Sequence, residues 1–263
     1  MKLLDIDNLS SSDIHAIWSL VRAKPTPISG TVACSFEGNG IRTRTTYIQS
    51  FNELELTYIE LPNLLKTKER VCDLAGYLDP FYSAYVVRYS DHERLRKFAL
   101  ASSRPVINAM TSLAHPCEVL SDGYYIDSEI KPIHEVKVGL WGPTTNVFRS
   151  WYALAATLGI EIQHFCGPDY HSVHPNVIYS SCLNKAVDIL VTDGWPSNFS
   201  DSNWSLDLEH LASLGNPKLL PTPPFSIGKE VSFDPLTYSG FLGYEQKSIL
   251  LSVQRAILAY LMN

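Results

Sequence analysis

The chain has 263 residues, 45% hydrophobic and 18% charged, which is the balance of a globular protein long enough for two cores. Its formal net charge of -6 excludes the broad basic field that nucleic acid or an anionic membrane surface demands, so an anionic ligand would be held by a few local arginines. No run reaches the roughly 18 apolar residues of a membrane span, and the N-terminus, with Asp5 and Asp7, lacks the order of a secretory signal; a cytoplasmic location is expected.

The elements alternate in chain order. Ser10–Ser12 caps an opening helix that runs through Ile14, Ile17, Trp18 and Val21. Strand-like runs follow at 32–36, 56–61, 84–87 and 106–107, with helical stretches between them, among them 91–101 behind an acidic residue. After a polar stretch at 122–135 a second series begins. It has a strand at 136–141, a helix at 146–158 closed by Gly159, and strands at 160–165 and 189–192. A last helix over 244–262 carries Leu250, Val253, Ile257 and Leu261 at helical spacing. Such alternation predicts an α/β protein of two parallel sheets wrapped by helices. The boundary is placed at Ile133, giving domains over 1–133, with helix 244–263 packing back, and over 134–243.

In open parallel sheets ligands bind beyond the carboxyl ends of the strands. Three segments there carry chemistry. The first, from Phe36 to Arg44, holds Gly38 and Gly40 ahead of a helix start, where free backbone N–H groups face an anion. Arg42 adds a bidentate contact and Thr43 a hydroxyl. A capped helix with two surface arginines reads equally well from that segment by itself. The second is Arg88, a charge at the end of an apolar strand, where it either binds a ligand or snorkels at the sheet edge. The third is Arg104-Pro-Val-Ile-Asn108, followed by His115-Pro-Cys-Glu118 leading into a helix with Asp122. A histidine before a helix N-terminus tends to stay neutral and can donate to a developing oxyanion, although a structural His-Pro turn is commoner.

Cys34, Cys72, Cys117, Cys166 and Cys182 are odd in number and scattered, so neither a disulfide framework nor a zinc site is expected. His171 and His174, with Cys166 upstream, read as a polar surface loop rather than metal ligands.

Together the three segments resemble the carbamoyl-phosphate half of the aspartate/ornithine carbamoyltransferase (transcarbamylase) family. Its hallmarks are Phe-Glu before a Ser-Thr-Arg-Thr-Arg loop, a strand-end arginine, and Pro-Val-Ile-Asn followed by His-Pro-x-Gln. The resemblance continues in Gly142-Pro-Thr-Thr-Asn146-Val-Phe-Arg-Ser150 and in Thr192-Asp193-Gly-Trp195-Pro-Ser197. It implies two doubly wound domains with the active site in the cleft between them. It also implies transfer from carbamoyl phosphate to a small amine or amino-acid acceptor, without metal or cofactor, in a homotrimer. On the matching positions, Gly40, Ile41, Arg42, Thr43 and Arg88 would hold the phosphate. Arg42, Thr43, Arg88, His115 and Glu118 would form the catalytic set. Asn146, Asp193, Ser197, Thr222 and Pro223 would meet the acceptor.

The departures are specific. Gly40 and Ile41 stand where the family has Ser and Thr, and Glu118 stands for Gln, placing a carboxylate beside the donor unless Arg104 or another cation offsets it. Leu219–Phe225 lacks the His and Cys of the ornithine-type His-Cys-Leu-Pro. In the segment that matches the family's adjacent-subunit loop, Lys66-Thr67-Lys68-Glu69-Arg70, the resemblance implies that Lys66 or Lys68 would reach a phosphate. A specialised carbamoyltransferase is the leading reading. The others are a related transferase or lyase whose donor carries a cationic amidino-like group, and a non-catalytic amino-acid-binding member.

Overall fold

The computed structural model describes residues 1–183 and 185–263, which divide into two units: Met1–Tyr124 with Lys247–Asn263, and Tyr125–Gln246. The first unit contains β1 (Lys2–Leu3), α1 (Ser11–Val21), β2 (Thr31–Phe36), α2 (Ile41–Glu53), β3 (Thr57–Glu60), α3 (Val71–Leu78), β4 (Ala84–Arg88), α4 (His92–Ala101), β5 (Val106–Met110) and α5 (Pro116–Tyr125). The expected cap of α1 is present, because the Ser10 side chain accepts from the Asp13 N–H while Asp13 reaches back to Ser10. Asp91 caps α4 on one side only, accepting from the Arg94 N–H.

The strands of this unit form one parallel sheet in the order β1-β5-β4-β2-β3. The central strands β2, β4 and β5 are buried along nearly their whole length, which is why they read as continuous apolar runs. The chain leaves β2 towards β3 on one side and later returns to place β4 on the other. The sheet therefore changes direction between β2 and β4, where Phe36 lies opposite Arg88.

The second unit holds β6 (Val138–Trp141), α6 (Asn146–Leu158), β7 (Ile162–Phe165), β8 (Val177–Ser180), β9 (Ile189–Thr192), α7 (Leu208–Ser213) and β10 (Lys218–Pro221). Its parallel sheet has the order β10-β9-β6-β7-β8, so its switch point lies between β6 and β9, with Trp141 opposite Thr192. Helix α6 is opened by Thr145, whose hydroxyl accepts from the Phe148 N–H, and is closed by Gly159 at φ 68. The last helix, α8 (Glu245–Met262), buries Leu250, Val253, Ile257 and Leu261, as its spacing predicts.

The two-sheet α/β class is as expected, but several elements differ from the sequence reading. Strands β6 and β7 begin two residues later than predicted, at Val138 and Ile162. The short edge strands β1, β8 and β10 were not foreseen, because two to four residues at a sheet edge carry no long apolar run. The polar stretch 122–135 opens buried: Asp122 to Ile126 are buried, and the helix continues through them.

Candidate functional site

The β2–α2 loop brings its backbone to the switch point of the first sheet. Gly38 and Gly40 both have left-handed backbones, at φ 65 and 45, and a Cβ at Gly40 would meet the Phe36 side chain at 3.3 Å. Gly40 is the N-cap of α2 and supplies no side chain, so no N-cap oxygen takes up the first N–H groups of that helix. Arg44 fixes the loop by donating to Glu60 at 2.7 Å while lying over the Phe36 ring at 5.6 Å. Ile41 is 67% exposed, so its part in any anion contact is its backbone alone.

Arg88 ends β4 beside that loop. Its Nη1 donates to the buried Thr43 hydroxyl at 2.9 Å. Because Thr43 accepts this bond, its own O–H stays available to donate to a ligand. Burial pushes the Arg88 guanidinium below its ordinary range, and the neighbouring Arg42 charge pushes it further, against the opposing pull of Glu37. Arg42 thus sits close enough for its charge to disfavour that of Arg88 beside the start of α2, an arrangement that an anionic ligand would relieve.

Glu37 organises the rim: its Oε2 accepts the Ser90 N–H at 2.6 Å and its Oε1 pairs with Lys66 at 3.2 Å. Lys66 is therefore engaged within its own chain, while Lys68 is exposed.

The β5–α5 loop supplies His115, whose carbonyl accepts the Val119 N–H as α5 begins. Burial holds its imidazole down to about 4, with Arg88 and Lys247 adding to the effect and Glu118 opposing it. At neutral pH the ring is uncharged and can donate without bringing a proton to exchange. Glu118 is buried, and the cation that offsets it is Lys247 at the start of α8 rather than Arg104. The Arg104 Nε instead donates to the Asp79 carbonyl at 3.0 Å. Burial raises the Glu118 carboxyl, but Lys247, His115 and Arg42 outweigh it, so the group is held below the usual carboxylate range. Lys247 was absent from the sequence reading. The available signal was a lysine one turn before Leu250 on the apolar stripe of α8.

At the switch point of the second sheet, Asn146 opens α6, with its Oδ1 accepting the Val147 N–H at 3.0 Å. Asp193 and Ser197 follow β9, the former half-buried and the latter exposed, while Thr222 follows β10 and its N–H donates to the Thr192 carbonyl at 2.8 Å. Beyond Thr222, Pro223 leads into Pro224 through a cis peptide.

Glu230, which sequence reasoning missed, ties these loops together. Its two oxygens accept the N–H groups of Trp195 at 2.9 Å and Ser226 at 2.7 Å. The Thr192 and Thr222 hydroxyls and the Trp195 indole N–H in the same group of loops are buried without a hydrogen-bond partner among the described residues. Behind them, His164 donates from Nε2 to the Gly142 carbonyl at 2.8 Å and accepts at Nδ1 from the Tyr152 hydroxyl at 2.7 Å, which sets the turn ahead of Asn146. His171 is bonded to the Cys166 carbonyl at 3.3 Å, and among the described residues no group of three or more His, Cys, Asp or Glu side chains is placed to hold a metal ion.

Residues 2–128 match the family model described as aspartate/ornithine carbamoyltransferase, carbamoyl-P binding domain. The chain is 29% identical to an ornithine carbamoyltransferase of Methanococcus vannielii, covering 88% of this chain and 87% of that one. It is 26% identical to that of Methanococcus aeolicus over the full length of both. It is also similar to the crystal structure of the anabolic ornithine carbamoyltransferase of Campylobacter jejuni, with a TM-score of 0.87, 25% identity and 99% of each chain covered.

Proposed function

We propose that this chain, which belongs to the aspartate/ornithine carbamoyltransferase family, moves the carbamoyl group of carbamoyl phosphate to the amino group of an amino acid or related amine. The observation that carries this reading is Arg88 at the end of β4, held at 2.9 Å on the Thr43 hydroxyl in the first turn of α2, with the Arg42 charge beside it and Gly40 as the helix N-cap. A phosphate placed there would receive the N–H groups of residues 40–43, both guanidinium groups and the Thr43 hydroxyl.

In this reading Arg88, Thr43 and neutral His115 donate to the carbamoyl oxygen, whose negative charge grows as the amine attacks. The new bond joins the amine nitrogen to the carbamoyl carbon. The bond from that carbon to the bridging oxygen breaks, and phosphate leaves with the electron pair and takes the amine proton. The protein's part is to position and stabilise. Glu118 would accept from the carbamoyl NH2. The first unit is assigned the donor and the second the acceptor, with Asp193 meeting a cationic group and Asn146, Ser197, Thr222 and Pro223 shaping the remainder. Gly40, Ile41, Glu118 and the loss of the His-Cys pair near Thr222 support a specialised member rather than a housekeeping one. A cytoplasmic homotrimer is the assembly that fits the family.

Two measurements test this. Carbamoyl phosphate and inorganic phosphate should each raise the melting temperature, by about 2.7 kcal/mol of stabilisation at a hundredfold excess over Kd, and Arg42→Ala should abolish the effect. Phosphate release should then appear with one member of a panel of ornithine, lysine, diamines and diamino acids. No release with any amine from natively folded protein would overturn the proposed activity, and donor affinity within threefold of wild type in Arg42→Ala would overturn the phosphate cradle.

A further inference from the structure

Glu118 and Asp122 lie four residues apart on α5, so they stand one above the other on the same face of that helix, and both are buried. Two ionised carboxylates in that position repel each other and lose their hydration, so they require an internal cation. Lys247 provides it. Its Nζ donates to Glu118 Oε1 and lies 3.3 Å from Asp122 Oδ1, with the lysine side chain itself only 17% exposed. Among the described residues His115, which is neutral at physiological pH, and Arg42 also act on Glu118. Lys247 takes Oε1, so Oε2 is the oxygen left to accept a ligand N–H.

We infer that Lys247 is a specificity-determining positioning residue: it cancels the Glu118 charge within the protein, so the donor group accepted at Glu118 is the uncharged carbamoyl amide and not a cationic amidino group. The inference rests on the carbamoyl-transfer reading. It explains how a carboxylate stands in this family's Gln position without turning the site into a cation trap. Lys247 acts on the donor through Glu118, so removing both residues should undo the damage done by removing Lys247 alone.

The test uses the full-length chain and the variants Lys247→Met, Lys247→Arg and Glu118→Gln/Lys247→Met, with donor KM and kcat measured from phosphate release. Formamidinium binding is measured separately by calorimetry. Lys247→Met should raise donor KM by about a hundredfold or more, because it removes the cation that offsets the buried Glu118 carboxylate, and it should gain formamidinium binding that wild type lacks. Lys247→Arg should keep donor KM near wild type. The double variant should bring donor KM back to within about tenfold of wild type and lose the formamidinium binding. A double variant as impaired as Lys247→Met would mean that Lys247 does not act on the donor through Glu118, and the inference would fall. Formamidinium binding by wild type would also overturn it. Should Lys247→Met not fold, Lys247→Gln replaces it with the same expectations. Calorimetry needs no turnover, so a wild type that binds no formamidinium but releases no phosphate would count against the activity and not against the charge pairing.

Discussion

Replacing Arg88 by Met separates binding from stability. The side chain keeps most of its apolar stem and loses its charge and the 2.9 Å bond to Thr43. In the ligand-free protein that bond contributes about 1 kcal/mol. Against it, the substitution removes a partly buried cation that burial and Arg42 both disfavour. The two effects oppose, so folding stability should change by no more than about 1 kcal/mol, a melting shift within about 4 °C. Donor binding has no such offset. A guanidinium roughly 4 Å from a phosphate oxygen interacts by about 4 kcal/mol at an effective dielectric constant near 20, and truncating such a partner costs about 2–5 kcal/mol. Affinity for carbamoyl phosphate and for phosphate should therefore fall roughly thirtyfold to several-thousandfold. Calorimetric titration of both ligands beside thermal melting of the free protein checks this. Affinity and stability falling together by comparable free energies would show that Arg88 is structural, and unchanged affinity would remove it from the phosphate site.

Three further outcomes are expected. His115→Asn should lower kcat about a hundredfold or more with a smaller change in donor Kd, since its hydrogen bond strengthens as the oxyanion forms; unchanged turnover would leave His115 a turn residue. Acidification should destabilise both units, because His115 in the first and His164 in the second are held down to about 4 by burial, against an ordinary value near 6.5. Their contribution is fully present above pH 6.5 and is lost as pH falls towards 4, by up to about 3 kcal/mol for each; urea melts at pH 7.5 and 5 should show the loss, and it should shrink in His164→Gln. Glu230→Gln should raise the acceptor KM several-fold while sparing donor affinity, because an amide cannot accept from both the Trp195 and Ser226 N–H groups through its two ends; donor and acceptor KM rising equally would refute a local role.

What could be read from the sequence depends on the distance over which each feature is decided. The cap at Ser10, the closing Gly159, the helix at Asn146 and the apolar stripe through Leu250 and Ile257 all rest on hydrogen bonds and periodicities within a few residues, and the linear sequence contains them. The strand-end positions of Arg88 and Asp193 follow from apolar runs that stop at a charge. Which strands become neighbours is a different matter. The pairing of Phe36 with Arg88 and of Trp141 with Thr192, which sets the two switch points, depends on the order of strands in each finished sheet and on no local signal. Edge strands such as β8 and β10 are defined by the neighbour that completes their hydrogen bonds. The charge balance at Glu118 is the clearest case. Its partner Lys247 lies 129 positions away, and neither residue reveals its cost until both have left water. Glu230, 35 positions beyond Trp195, is the same kind of residue: a carboxylate whose purpose appears only when two loops present their N–H groups to it. Local chemistry is written residue by residue, whereas desolvation and strand order are properties of the folded whole.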